Sequence, residues 1–142
     1  MEHWGAGLAA VWLTLLTGYD IRSRRLPNWL TLPAAVAVPA AAALAGRGPA
    51  ALAGAAALAG IYLTVHLIAP AGLGAGDVKL AVSLGALTGC FGPDVWMLAA
   101  ICAPLLTGIW GLCAAATGRG PTVPHGPAMC LSSAVALALG MY

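Results

Sequence analysis

Charge is what this chain has least of. Of 142 residues, six are Lys or Arg and four are Asp or Glu, 7% in all, and phenylalanine occurs once. So few polar side chains cannot coat a water-soluble globule of this size. With 61% hydrophobic residues, the composition predicts a protein of the lipid bilayer. The formal charge of +2 is too small and too scattered to form a nucleic-acid footprint. The four cysteines, Cys90, Cys102, Cys113 and Cys130, include no C-x-x-C pair. That speaks against a zinc site or a thioredoxin-like redox pair and leaves them as small buried hydrophobes. The opening Met1-Glu2-His3-Trp4 lacks the basic start of a secretory signal, and no small-residue cleavage site follows, so the first apolar stretch is expected to stay as a helix. Runs such as 50–59 do not alternate apolar and polar residues, which excludes a membrane β-barrel.

What is present is a series of apolar stretches, each of about 14 to 23 residues and most of them long enough for a hydrocarbon core of about 30 Å. The reading is an all-α, polytopic membrane protein with about six transmembrane helices, near 4–19, 29–45, 50–69, 78–91, 95–117 and 124–141. Gly- and Pro-rich breaks separate them, at Pro27-Asn28, Gly46 to Pro49, Pro70 to Gly72, Gly92-Pro93-Asp94 and Gly118 to Pro121. Residues 1–142 are read as one domain. The fourth helix is too short to cross by itself, so the loop of residues 72–76 is expected to enter the membrane region beside protein or a wet cavity. Six crossings place Arg22, Arg24, Arg25, Lys79 and Arg119 on one side, with Arg47 alone among basic residues on the other. The positive-inside rule makes the first side cytoplasmic and puts both termini outside.

Two of the four acidic residues fall at predicted membrane edges beside helix-breaking backbone. Asp20 ends the first apolar stretch, and Asp77 opens the fourth after Gly72-Leu73-Gly74-Ala75-Gly76. A carboxylate near hydrocarbon is costly unless it is paired or wetted. A close pair of carboxyls suits peptide hydrolysis, because mutual repulsion keeps one protonated to polarise the carbonyl while the other deprotonates water. Each aspartate alone reads equally well as an end-cap, Asp77 with Lys79 in its first turn. Gly74 and Gly76 are expected to supply positive φ or a close backbone approach. Lys79 is read as balancing charge or snorkelling to the headgroups, with snorkelling preferred. His66 is read as structural, without a nearby partner. His3, His66 and His125 are too scattered to suggest a metal triad, and no metal or other cofactor is expected.

Taken together, three motifs resemble the prepilin peptidase (type IV leader peptidase) family of G-x-G-D intramembrane aspartic proteases. Asp20-Ile21-Arg22-Ser23-Arg24-Arg25-Leu26-Pro27-Asn28 is similar to the first catalytic motif, an aspartate followed after a basic stretch by Pro-Asn. Gly74-Ala75-Gly76-Asp77-Val78-Lys79 matches the second, and Pro124-His125-Gly126-Pro127 resembles the Pro-aromatic-Gly-Pro opening of the last helix, with His125 where an aromatic residue is expected. The order and side of the membrane agree, and the resemblance spans essentially the whole chain.

The resemblance implies Asp20 and Asp77 as the catalytic pair. Pro27, Asn28, Gly74, Gly76, Lys79, Pro124, Gly126 and Pro127 would shape the site and its loops. It also implies a bilayer enzyme of the cytoplasmic membrane that removes the leader of a prepilin or pseudopilin at the cytoplasmic face. The larger members' cytoplasmic domain with paired cysteines is missing, so no methyltransferase domain or N-methylation is implied. The compact form resembles stand-alone peptidases of tight-adherence (Flp) pilus systems. Tyr19-Asp20 superficially fits the Tyr-Asp of presenilin-type G-x-G-D proteases, but two helices intervene before Asp77. A non-enzymatic alternative is a transport or pilus-assembly subunit using Asp20, Asp77 and Lys79 as a proton or ion relay.

Overall fold

The computed structural model describes residues 2–23, 26–120 and 123–140. These residues form six helices: α1 (Glu2–Ser23), α2 (Asn28–Leu44), α3 (Gly48–Ile68), α4 (Ala75–Gly89), α5 (Pro93–Ala116) and α6 (Gly126–Gly140). The punctuation is local. Helix α2 closes when Gly46 turns to φ 76° and the amides of Gly46 and Arg47 bond back to Ala43 and Ala42. Gly118, at φ 71°, closes α5 in the same way, with Gly118 and Arg119 bonding back to Ala115 and Ala114. Both are left-handed glycine caps that satisfy the last carbonyls of a helix. Pro49 and Pro93 sit in the first turns of α3 and α5, where a missing N–H costs nothing.

Two boundaries differ from expectation at places that matter. Helix α1 does not stop at Tyr19 but runs to Ser23, because no Gly or Pro interrupts residues 19–23, so Asp20 lies within its last turns. Helix α4 starts at Ala75 rather than residue 78, so only the chain through Gly74 is non-helical and Asp77 falls in the first turn.

Helix α4 is the centre of the bundle and packs against α2, α3, α5 and α6, whereas α1 lies mainly along α6. Leu80, Ala81, Ser83, Leu84, Gly85, Ala86, Thr88 and Gly89 of α4 are all buried. The closest helix pair is α3 with α4, zipped by three glycines. A methyl at Gly85 would meet the Gly54 carbonyl oxygen at 2.5 Å and the Ala55 Cα at 3.0 Å, and one at Gly89 would meet the Ala50 carbonyl oxygen at 2.9 Å. The Trp96 indole of α5 donates to the Gly54 carbonyl at 3.0 Å, so a third helix is pinned to the same seam. Small residues drive helix association in lipid through such close approach. Because the obstructing atoms are backbone, Gly85→Val is expected to force the helices apart, at about 3 kcal/mol or more. Thermal melting in detergent would check this, and a melting temperature equal to the parent's would refute the seam.

The exterior is apolar, with Leu8, Val36, Leu44, Leu67, Ile101 and Leu112 all exposed. Helices α3 and α5 are each long and apolar enough to cross a membrane.

Candidate functional site

All three motifs come to one end of the bundle, built by the last turns of α1 and the first turns of α2, α4 and α6. Asp20 is 6% exposed. Its carboxyl faces the Gly126 backbone N–H at the start of α6, so close that a methyl on Gly126 would collide with it. Its Oδ2 is buried without a hydrogen-bond partner. Asp77 is the third residue of α4, and its carboxyl lies back over the Gly74 backbone N–H. That is the side-chain half of a capping box, which explains locally why an acid suits this position. The two carboxyls are within electrostatic reach of each other, and the buried Cys130 of α6 is within reach of both.

The other predicted residues divide by what they touch. Pro27 is extended at φ −68° and ψ 138° and caps α2, its carbonyl accepting from the Leu30 and Thr31 amides and from the Thr31 hydroxyl. Asn28, the next residue, accepts a 2.9 Å hydrogen bond from the Lys79 ammonium through its Oδ1. The first and second motifs are therefore bonded to each other, and Lys79 is a tie between α2 and α4 rather than a snorkelling cation. Trp12 Nε1 donates to the Leu30 carbonyl at 3.0 Å and ties α1 to the same turn of α2, while Tyr19 and Trp29 meet edge to face. Pro127 occupies the first turn of α6, buried, and Pro124 is half-buried just before it. Arg22 is exposed, whereas Arg24 and Arg25 lie outside the described residues.

Two expectations need correction. Gly74 has φ −74° and Gly76 is helical; neither uses the left-handed region. A methyl on Gly76 would make only ordinary contact with Leu26, at 3.5 Å or more, and one on Gly74 would touch nothing closer than 4.0 Å. Within the fold itself neither position requires glycine. His66 does have a partner: its Nδ1–H donates to the Leu73 carbonyl at 2.6 Å and moors the loop before Asp77 to the end of α3.

Sequence reading missed a polar cluster between α3, α5 and the third motif. Tyr62 bonds His125 Nε2 at 2.7 Å, and Thr107 bonds His125 Nδ1. Tyr62 is within electrostatic reach of Asp77. The partners are 63 and 18 residues from His125, and only the misfit of a histidine in the third motif pointed to them. Among the described residues, no group of three or more His, Cys, Asp or Glu side chains is assembled that could hold a metal ion.

An all-helical, apolar-surfaced bundle with two long apolar helices, and with the buried Asp20 and half-buried Asp77 within electrostatic reach of each other at one end, defines the class as a helical membrane protein. The particular family follows from comparison: the type IV leader peptidase family model matches residues 7–117, and the chain belongs to that family of aspartic peptidases. No curated protein and no solved structure gives a significant match. The match stops before the third motif, so the contact between Gly126 and Asp20 is a separate observation.

Proposed function

We propose that the protein is an intramembrane aspartic endopeptidase that cleaves the leader of a prepilin or pseudopilin precursor at the cytoplasmic membrane face, with Asp20 and Asp77 as its catalytic pair. The observation that carries this reading is that the two carboxyls come within electrostatic reach of each other at one end of the bundle, with Asp20 Oδ2 buried and unpartnered. One carboxyl, ionised, takes a proton from a water that attacks the scissile carbonyl. The other, protonated, donates a hydrogen bond to the carbonyl oxygen and then passes its proton to the leaving amine. Gly74 and Gly76, free of any demand from the fold, leave the edge of the site bare of side chains, so an extended substrate strand can approach the backbone. Pro27, Asn28 and Lys79 hold the α2 and α4 starts in register, and Pro124, Gly126 and Pro127 seat α6 on Asp20. We read residues 1–142 as a single peptidase domain.

Purified protein in detergent is expected to cut a leader-bearing pilin precursor once, without added metal, and to keep that activity in chelator and in thiol-blocking reagent, since the cysteine near the carboxyls, Cys130, is only 2% exposed. Activity lost to chelator and restored by one specific metal would overturn the mechanism.

The orientation belongs to the same proposal: six crossings, both termini outside, and the Asp20 and Asp77 ends cytoplasmic. Single cysteines introduced as Ser23→Cys and Arg47→Cys are expected to label from opposite sides of sealed vesicles, Ser23→Cys from the cytoplasmic side. An exterior-facing Ser23→Cys contradicts the map and the site of cleavage alike.

A further inference from the structure

His125 departs from the aromatic residue expected in the third motif, and its surroundings are built for an imidazole. The Thr107 hydroxyl donates to the Ala103 carbonyl at 3.0 Å, so its oxygen is left to accept from His125 Nδ1. Thr107 therefore fixes the proton on Nδ1. Nε2 of the neutral ring is then an acceptor, and the Tyr62 hydroxyl donates to it at 2.7 Å. The Tyr62 and His125 rings also face each other, 5.5 Å between centroids and tilted by 38°. The bonds thus run in one direction, from Tyr62 through His125 and Thr107 to the α5 backbone. Residue 125 is connected to the two aspartates by different routes. Through the chain, His125 immediately precedes Gly126, whose backbone abuts the Asp20 carboxyl. Through its Nε2 it orients Tyr62, which is 7% exposed on α3 and within electrostatic reach of Asp77.

We infer that His125 is a positioning residue: a single-tautomer imidazole, clamped between Tyr62 of α3 and Thr107 of α5, that sets the placement of the α6 start, and with it the Gly126 contact to Asp20, relative to those two helices. This rests on the peptidase reading for its catalytic consequence but not for its geometry. The positive end of α6 lies next to the ring and disfavours a charge on it, which keeps the clamp in the form with Nε2 as acceptor.

Two measurements test it. In protein labelled with 15N-histidine, His125 is expected to show Nδ1 protonated and Nε2 unprotonated from pH 5 to pH 8. Tyr62→Phe should shift the Nε2 resonance, and Thr107→Val should let the two tautomers exchange. A ring that titrates near pH 6, or a spectrum indifferent to Tyr62→Phe, would overturn the clamp whatever the protein's activity. In the cleavage assay, His125→Phe keeps the ring volume and loses both hydrogen bonds. It is expected to lower kcat about tenfold or more with KM unchanged, as a misplaced catalytic group does. His125→Gln, which restores an acceptor toward Tyr62, should recover part of the loss. The double variant Tyr62→Phe with His125→Phe should be no worse than the poorer single one. Singles within about twofold of the parent, or losses that multiply in the double variant, would refute the positioning role. Parent protein that shows the histidine signature but cuts no precursor would instead refute the peptidase reading and, with it, the effect on kcat.

Discussion

Asp20→Asn and Asp77→Asn should each abolish cleavage while the protein stays inserted and folded. Asparagine keeps the shape and the hydrogen-bonding reach of the carboxyl but cannot carry the proton. Removing a general acid or base costs about 10²- to 10⁴-fold. In a pair that works as a unit, loss of either member removes nearly the whole effect. The two variants should therefore look alike, and combining them should add little. Melting behaviour close to the parent's would separate a chemical loss from a folding one. The same experiment separates the enzyme from a proton or ion relay, which would lose conduction but had no cleavage to lose. Substantial precursor processing by either variant would sink the dyad.

The second large effect is expected at a residue with no side chain. A Gly126→Ala methyl would fall on the Asp20 carboxyl. The obstructing atoms here are the end of a short side chain, not backbone, so the carboxyl yields and α6 stays where it is. The expected outcome is a folded protein with Asp20 displaced by about the width of a methyl group. Misplacement of a reacting group by about 1 Å can cost 10²-fold, so kcat should fall at least that far. This contrasts with Gly85→Val, where backbone blocks the added atoms and the fold itself is expected to give way. Measuring both variants for melting temperature and for kcat distinguishes the two kinds of glycine. Full activity in Gly126→Ala would mean that the Asp20 seat against α6 is not the working geometry.

The architecture was readable because apolar runs and Gly-Pro punctuation are local signals, and the helices fall close to the runs. The boundary errors sit where local signals were silent or misleading. Nothing marks the continuation of α1 through Asp20, and the glycines before Asp77 looked like loop although Ala75 and Gly76 are already helical. The two aspartates were legible as rare acids at helix ends. What they lean on was not. Lys79 with Asn28, and Tyr62 with His125, are pairs separated by 51 and 63 residues, and their types carry no pairing signal without the fold. The glycine seam was hidden for the opposite reason: in a chain with 19 glycines, Gly54, Gly85 and Gly89 do not stand out until two helices are seen to touch there.

Helix α4 has 15 residues, about 22 Å at helical rise, less than a bilayer's hydrocarbon thickness. Were it bathed in lipid, it would suffer hydrophobic mismatch and would tilt or drag the bilayer inward to compensate. It is instead enclosed by α2, α3, α5 and α6, so its solvent is other helices. The depth of Asp77 would then be a property of the bundle, with the longer, apolar α3 and α5 left to meet differences in membrane thickness. On the peptidase reading, a short helix at the centre would let the protein keep one active geometry in bilayers of different composition.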